Sequence, residues 1–249
     1  MNYELDYRTY GNPALPALTL LHAGAFTYHE WDPFIEAWSK RFHCIAATAL
    51  GHGSSPSVAS LRFPDLVAST LRLLDSLGIA KTHLLGSSMG GATALHLVTA
   101  APERVDRLIL YRCSHRNRAS VSDSLAAMED PETWRRWGLE GTLRTLHDPQ
   151  GGPEAWRTVV RRVRELVEAE DPSIARSDAA LRSIASPTMV ICGDRDPLVP
   201  LEDAVSMYRT IPRAALWVVP NATHLIGAET IRRLAFEQEI VRFLTHRLS

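Results

Sequence analysis

The serine with the clearest chemical context in this sequence is Ser88, in the segment GSSMG at residues 86–90. A buried strand is predicted directly before this Gly-x-Ser-x-Gly turn, and a helix directly after it. The small residues at both ends of the pattern allow the two elements to pack closely around a strained backbone. The helix start also presents free amides that favour negative charge on an attacked carbonyl oxygen. Ser88 is therefore a candidate nucleophile for acyl transfer.

A serine hydroxyl needs a base to accept its proton and a carboxylate to hold that base in the right tautomer. Two acids, Asp194 and Asp196, follow one predicted strand, and His224 follows the next. Because loops at the carboxyl ends of the strands converge at one edge of an open α/β sheet, these side chains are expected near Ser88. Either acid could orient the histidine, and the other would then cap its loop.

The elements that must position these residues form an alternating series. Short apolar runs without polar alternation predict strands covered on both faces, as in a parallel sheet. Apolar residues recur at helical spacing over 62–77 and stop at Gly78, and further helices are predicted over 92–101 and 230–247. An antiparallel strand is predicted over 3–10. The apolar runs lie at 18–22, 44–47, 82–86, 108–111, 189–192 and 216–219.

One long segment departs from this alternation. Residues 114–186 carry no convincing strand pattern, only helical patterns such as 156–169 separated by proline and glycine. The segment is inserted between two strands, so we expect it to fold over the sheet edge where Ser88 emerges. The predicted organisation is a core of residues 1–113 and 187–249 with a helical cap of residues 114–186.

The order of serine, acid and histidine along the chain, combined with the strand-turn-helix context, resembles the α/β-hydrolase family. The resemblance extends from the strand before His22 to the helix after Glu229, with residues 114–186 in the place of the family's variable cap. It implies an α/β fold with a mostly parallel central sheet, helices on both faces and a helical cap insertion.

The resemblance also implies a role for each candidate residue. Ser88 takes the place of the nucleophile, and His224 that of the general base and then general acid. Asp196 takes the place of the orienting acid, because it lies just before a turn of the form x-x-Val-Pro. Asp194 is the alternative acid, and its other expected role is to cap the loop.

Two backbone amides are expected to form the oxyanion hole. Met89, directly after the serine, supplies one. The other comes from the segment LHAGA at residues 21–25, which is similar to the family's His-Gly-x turn. Gly24 takes the place of the donor, with Ala25 as the alternative, and His22 is expected to brace the loop.

The loop at residues 48–54 resembles the family's Asp-x-Arg-Gly-His-Gly-x-Ser pattern but departs from it at two positions. Thr48 replaces the acid and Leu50 replaces the arginine. An internal ion pair that braces the loop in the family is therefore lost. His52 in this loop is expected to be structural.

The side chains that could line a pocket have two interpretations each. Trp134, Trp137 and Trp156 in the cap suit either internal packing or an apolar pocket wall. A cationic cluster after one strand end suits either an anionic substrate group or a solvated neck between core and cap. This cluster consists of Arg112, His115, Arg116 and Arg118.

Composition narrows the class of partner. A net charge of −1 with no dominant basic run argues against nucleic-acid binding. The first residues lack the features of a signal peptide and no apolar run could span a membrane, so a cytoplasmic protein that does not bind membranes is expected. Cys44, Cys113 and Cys192 are far apart and each adjoins a predicted strand, which favours reduced thiols over a redox or metal site.

These observations together predict a serine hydrolase that needs no cofactor or metal. The expected substrate is a small or medium carboxylic ester or a lactone, cleaved through an acyl-enzyme. One alternative is a carbon-carbon bond hydrolase of a vinylogous diketone, although that group often has asparagine where this chain has Ser87. Another is a ligand receptor without catalytic activity on the same fold. A homodimer is left open.

Overall fold

The computed structural model describes residues 4–116, 126–169, 177–225 and 227–246, and these residues build a seven-stranded sheet. The strands are β1 (Tyr7–Tyr10), β2 (Ala17–Leu21), β3 (His43–Ala47), β4 (Thr82–Ser87), β5 (Val105–Tyr111), β6 (Thr188–Gly193) and β7 (Ala214–Val219). Their order across the sheet is β1-β3-β2-β4-β5-β6-β7. Only the β1–β3 pair is antiparallel within this sheet. The predicted α/β fold with a mostly parallel sheet is confirmed.

Helices cover both faces of the sheet. They are α1 (Asp32–Trp38), α2 (Phe63–Ser76), α3 (Met89–Ala100), α4 (Pro131–Arg136), α5 (Glu140–His147), α6 (Ala155–Glu168), α7 (Asp178–Ser183), α8 (Leu201–Thr210), α9 (Ala228–Ile231) and α10 (Arg233–Thr245). On one face, Leu85 packs in a cluster with α1 and α10. Its neighbour Leu84 packs on the opposite face with α3 and α8. Adjacent strand residues point to opposite faces, so the uninterrupted apolar runs reflect burial on both sides.

The largest differences from the predicted boundaries occur at helix starts and chain ends. Helix α3 begins at Met89 rather than at residue 92, although glycine is a weak helix former. The glycines are needed for close approach, because a Cβ on Gly90 would lie 2.3 Å from the Leu21 carbonyl oxygen. Strand β1 begins at Tyr7, later than predicted, and the single predicted last helix is divided at Arg232 into α9 and α10.

The predicted cap segment contributes helices α4 to α7 and no strand among its described residues. Trp134 and Trp156 pack with Leu143 and Val160 in a small apolar cluster that also contains Ala25 from the core. Internal packing, the first of the two interpretations, is confirmed for these two tryptophans, which are fully buried. Trp137 is exposed and contacts the edge of Trp134. The division of the chain into core and cap stays a prediction.

Candidate active site

Ser88 lies at the junction of β4 and α3 with a strained backbone. Its φ of +51° and ψ of −112° fall outside the regions that non-glycine residues ordinarily occupy. The flanking glycines make this turn feasible, because a Cβ on Gly86 would lie 2.3 Å from the Gly90 carbonyl oxygen. The two glycines of the motif therefore lie in direct contact across the turn, which explains their spacing.

The three residues predicted as a triad are joined by hydrogen bonds. Ser88 Oγ lies 3.0 Å from His224 Nε2, and His224 Nδ1 lies 2.8 Å from Asp196 Oδ2. An ionised carboxylate can only accept, so Nδ1 carries the proton and Nε2 is left to accept from the serine. The Asp196 side chain is fully buried and the His224 side chain is 10% exposed. The arrangement fixes the histidine in the tautomer that can take a proton from Ser88.

The two acids of the β6–α8 loop hold different partners. Asp196 Oδ1 also accepts from the amides of Leu198 and Val199, at 2.8 and 3.0 Å. Asp194 Oδ1 accepts instead from the amide of Asn221, at 2.6 Å. Asn221 has a φ of +61° in the turn that leads to the histidine. Asp194 therefore braces this turn, as its alternative role in the sequence suggested.

The turn after β2 lies beside the serine, with its amides in different environments. The Gly90 amide donates to the His22 carbonyl at 3.1 Å, which ties this turn to the start of α3. The Ala25 amide faces His52 Nε2 at 3.3 Å. The Gly24 and Met89 amides have no acceptor in the described parts of the chain. Of the two amides considered in this turn, that of Gly24 is thus the one left without an acceptor among the described residues.

Helix α6, from the segment predicted as a cap, packs directly against this turn. A Cβ on Gly24 would lie 2.4 Å from Cγ1 of Val163, so any larger residue here would force the valine side chain to move. Val163 is buried in a cluster that includes Met89, the other predicted donor residue. The two residues predicted to supply the oxyanion amides thus lie near the same buried valine of α6.

Three buried histidines brace the turn and its neighbouring loop. His22 accepts from the Ala49 amide at 2.8 Å through Nε2 and donates to the Ala23 carbonyl through Nδ1. His52 accepts from the Ala25 amide and donates to the Leu50 carbonyl at 3.0 Å. Each ring must be neutral, because an amide can only donate and a carbonyl can only accept.

The third of these histidines, His147, lies at the end of α5, and the sequence gives no indication of its role. Its Nε2 donates to the Ala25 carbonyl at 2.9 Å, and its Nδ1 accepts from the Gly53 amide at 3.1 Å. Burial lowers the pKa of His147, and likewise of His22, to about 4. Burial, together with nearby His22 and His147, holds the pKa of His52 well below its usual value.

This histidine brace predicts a loss of stability in mild acid. The unfolded chain binds protons below pH about 6.5, whereas His147 in the folded protein does so only near pH 4. The contribution of one such histidine to the free energy of unfolding is therefore complete above pH 6.5. It falls by on the order of 3 kcal/mol as the pH drops toward 4. In His147→Gln, whose amide can donate and accept without titrating, Tm measured from pH 7 to 4 is expected to fall less steeply.

The exposed His246 provides the matched control, because His246→Gln removes a histidine without touching the brace. Its Tm is expected to follow the wild-type pH dependence. Equal slopes for His147→Gln and wild type over this range would contradict the assignment of the acid sensitivity to the brace.

The loop at residues 48–54 is held by hydrogen bonds in place of the missing ion pair. Ser55 Oγ donates to the Thr48 carbonyl at 2.7 Å and accepts from the Asp6 amide at 2.9 Å. Gln150, which follows α5, donates to the carbonyls of Gly53 and Ser55, at 2.8 and 2.7 Å. Hydrogen bonds that involve Asp6, Ser55 and Gln150 thus take the place of the ion pair.

Arg112 fits neither interpretation of the cationic cluster, because internal carboxylates rather than substrate or solvent surround it. It is 4% exposed and forms ion pairs with Glu30 at 2.7 Å and Glu229 at 3.0 Å. His115 is also buried, while Arg116 is exposed and reaches Ser206 Oγ at 3.3 Å. The remaining member, residue 118, lies outside the described residues.

Within the described residues, the three cysteines lie apart from any cluster of potential metal ligands. No group of three or more potential metal ligands occurs among the residues that the structure describes. All three cysteines are buried as thiols, and burial raises the pKa of both Cys44 and Cys192 to about 12. None of the described helices has the length and apolar character needed to cross a membrane.

Comparison with known proteins gives a consistent family. The model of the alpha/beta hydrolase family matches residues 20–235. Carboxylesterase YbfK of Bacillus subtilis (strain 168) is 29% identical over 231 residues, which cover 86% of this chain and 76% of that protein. 3-Oxoadipate enol-lactonase 1 of Acinetobacter baylyi is 24% identical over 249 residues, covering 90% of this chain and 88% of that protein.

A solved structure agrees with these relatives. The crystal structure of a hydrolase from Pseudomonas aeruginosa PA01 is 25% identical, covers 98% of this chain and 95% of that chain, and superposes with a TM-score of 0.76. The match to the family model spans most of the sequence and includes every residue of the candidate site. The chain belongs to the α/β-hydrolase family.

Proposed function

We propose that this protein is a serine hydrolase that cleaves a small or medium carboxylic ester or a lactone through an acyl-enzyme, without a cofactor. The observation that carries the proposal is the unbroken hydrogen-bonded chain from Asp196 through His224 to Ser88. The similarity of the protein to a carboxylesterase and to an enol-lactonase supports the same class of substrate. The specific ester or lactone is a matter for a substrate screen.

In the acylation step, Ser88 Oγ attacks the carbonyl carbon as His224 Nε2 takes the hydroxyl proton. The carbonyl oxygen becomes an oxyanion held by the amides of Gly24 and Met89. When the tetrahedral intermediate collapses, the bond to the leaving oxygen breaks and His224 returns the proton to that oxygen. An open ester releases its alcohol here, whereas a lactone keeps the new hydroxyl on the acyl chain.

Deacylation repeats the same steps with water. His224 Nε2 takes a proton from water, whose oxygen attacks the acyl carbon, and the same two amides hold the second oxyanion. Collapse breaks the bond to Ser88 Oγ, which regains its proton from His224. Asp196 keeps its negative charge throughout and stabilises the histidine while it is protonated. The free carboxylic acid is the product.

The experiment that tests this function is a rate comparison on three substrate classes. Purified protein is assayed with nitrophenyl esters of increasing acyl length, with a series of lactones, and with a vinylogous diketone. A fluorophosphonate probe titrates the reactive serine, so that each rate is expressed per labelled site. The expected result is stoichiometric labelling of Ser88 and a kcat/KM for an ester or lactone that exceeds the diketone value by at least about 100-fold.

Two outcomes of this screen would overturn the proposal. A diketone rate above the ester and lactone rates would assign the site to carbon-carbon bond hydrolysis. Absence of labelling at Ser88, with tight binding of a ligand that is not hydrolysed, would assign the fold to a receptor.

A further inference from the structure

Arg112 occupies an unusual position directly behind the candidate site. It follows the last residue of β5, and its φ is +41°. The preceding carbonyl, that of Tyr111, accepts the Ser88 amide at 2.9 Å, so the arginine is adjacent to the strained serine along the sheet edge. A buried arginine in a left-handed conformation is costly, and such features persist only where the surrounding structure holds them.

The guanidinium joins two of the three segments that form the candidate site. Its Nε donates to Ser87 Oγ at 2.9 Å, on the residue before the predicted nucleophile. Its Nη1 donates to the carbonyl of His224 at 2.6 Å, which is the main chain of the predicted base. The rigid planar guanidinium therefore connects the end of β4 with the loop that carries His224.

Glu30 extends the connection to the third segment. Arg112 Nη2 donates to Glu30 Oε1 at 2.7 Å, and Glu30 Oε2 accepts from the Ala23 amide at 2.6 Å. Ala23 directly precedes Gly24, one of the two predicted oxyanion donors. The Glu30 side chain is only 7% exposed, so water competes little for these contacts.

Glu229 completes the arrangement on the side of the histidine loop. It accepts from Arg112 Nη1 at 3.0 Å and from the Tyr111 hydroxyl. Burial alone would lower the pKa of Arg112, but Glu229, Tyr111 and Glu30 more than offset this and raise it above its usual value. The arginine remains charged at every working pH, unlike the neutral histidine brace.

We propose that Arg112, with Glu30 and Glu229, is a positioning group that sets the relative placement of Ser88, His224 and the oxyanion amides. The inference rests on the proposed function, because it concerns the geometry of the same reaction. Arg112 touches neither the substrate nor the reacting atoms. Its contribution arises because displacements of about 1 Å in a reacting constellation can cost on the order of 100-fold in rate.

The test compares Arg112→Lys, Glu30→Gln and Arg107→Lys by kcat per serine labelled with fluorophosphonate. A lysine ammonium is a compact charge that cannot span the four partners of the planar guanidinium. We expect kcat per labelled site to fall about 100-fold in Arg112→Lys, with KM changed less than about threefold. Glu30→Gln keeps an acceptor for the Ala23 amide but loses the ion pair, and we expect a loss of about tenfold.

Arg107→Lys is the matched control. Arg107 also lies on β5 and is partly buried, but it donates to the Phe243 carbonyl, away from the site. We expect its kcat per labelled site to stay within about twofold of wild type, as expected when no contact to the site is changed. Because the rate is counted per labelled serine, a variant that only folds less well shows fewer sites and an unchanged rate per site.

Two results would overturn the inference. One is an Arg112→Lys enzyme whose rate per labelled site stays within threefold of wild type. The other, decisive even if Arg112→Lys does not fold, is a Glu30→Gln enzyme with an unchanged rate per site. Failure of the proposed function itself would look different, since Ser88→Ala would then retain turnover.

Discussion

A Ser88→Ala variant is expected to lose at least about a thousandfold in kcat on its best ester or lactone while remaining folded. The alanine removes the only atom that lies within hydrogen-bond distance of His224 Nε2 among the described residues. The amides of Gly24 and Met89 would still hold a polarised carbonyl, so a small residual rate above that in water is expected. The measurement is kcat and KM at saturating substrate, with circular dichroism to confirm the fold.

A Ser88→Gly variant separates the chemical role of this residue from its strained backbone. Alanine keeps the cost of the φ of +51°, whereas glycine adopts that conformation readily. Both variants are expected to be equally inactive, and Ser88→Gly to unfold at a higher temperature than Ser88→Ala. Turnover by either variant within a few-fold of wild type would contradict the assigned nucleophile.

The Asp196→Asn variant is expected to show the second large effect, a loss of about 10³ to 10⁴-fold in kcat. The amide of asparagine can donate toward Nδ1 and so favours the tautomer in which His224 Nε2 carries the proton. That tautomer cannot take a proton from the serine. The variant is also expected to lose some stability, because the hydrogen bonds that Asp196 Oδ1 accepts from the amides of Leu198 and Val199 would no longer be to a charged group.

Asp194→Asn provides the control on the same loop. Its side-chain oxygen can still accept from the Asn221 amide, so we expect kcat to stay within a few-fold of wild type. The comparison is made at one pH on one substrate, with Tm recorded for both variants. If Asp194→Asn were the more damaging change, Asp194 would be the acid that orients the histidine.

The arrangement of the candidate site could be predicted from the sequence because it follows from topology. Ser88, Asp196 and His224 each lie just beyond a buried strand, and parallel strands bring their carboxyl ends to one sheet edge. Helix boundaries were less predictable. The glycines after Ser88 weaken the local helical pattern. Gly90 is needed because it packs against the main chain of Leu21, which is distant in the sequence.

The polar connections could not be predicted, because each depends on partners far away in the sequence. Arg112 lies 82 residues from Glu30 and 117 residues from Glu229, and no local pattern distinguishes it from a solvated cation. His147 likewise lies 122 residues from Ala25. Glu229, in α9, is a member of this arrangement that the resemblance to the family includes, although the resemblance assigns it no role.

The contact of Val163 with Gly24 links substrate selection to turnover in the proposed mechanism. Helix α6 holds this valine against the turn that carries one oxyanion amide, with no space for even a methyl group between them. In the proposed mechanism, a bulky acyl chain that displaces the helix would remove the valine contact that holds this turn in place. Discrimination between acyl groups is then expressed in kcat as well as in KM, and a poorly fitting ester is hydrolysed slowly even when the enzyme is saturated with it.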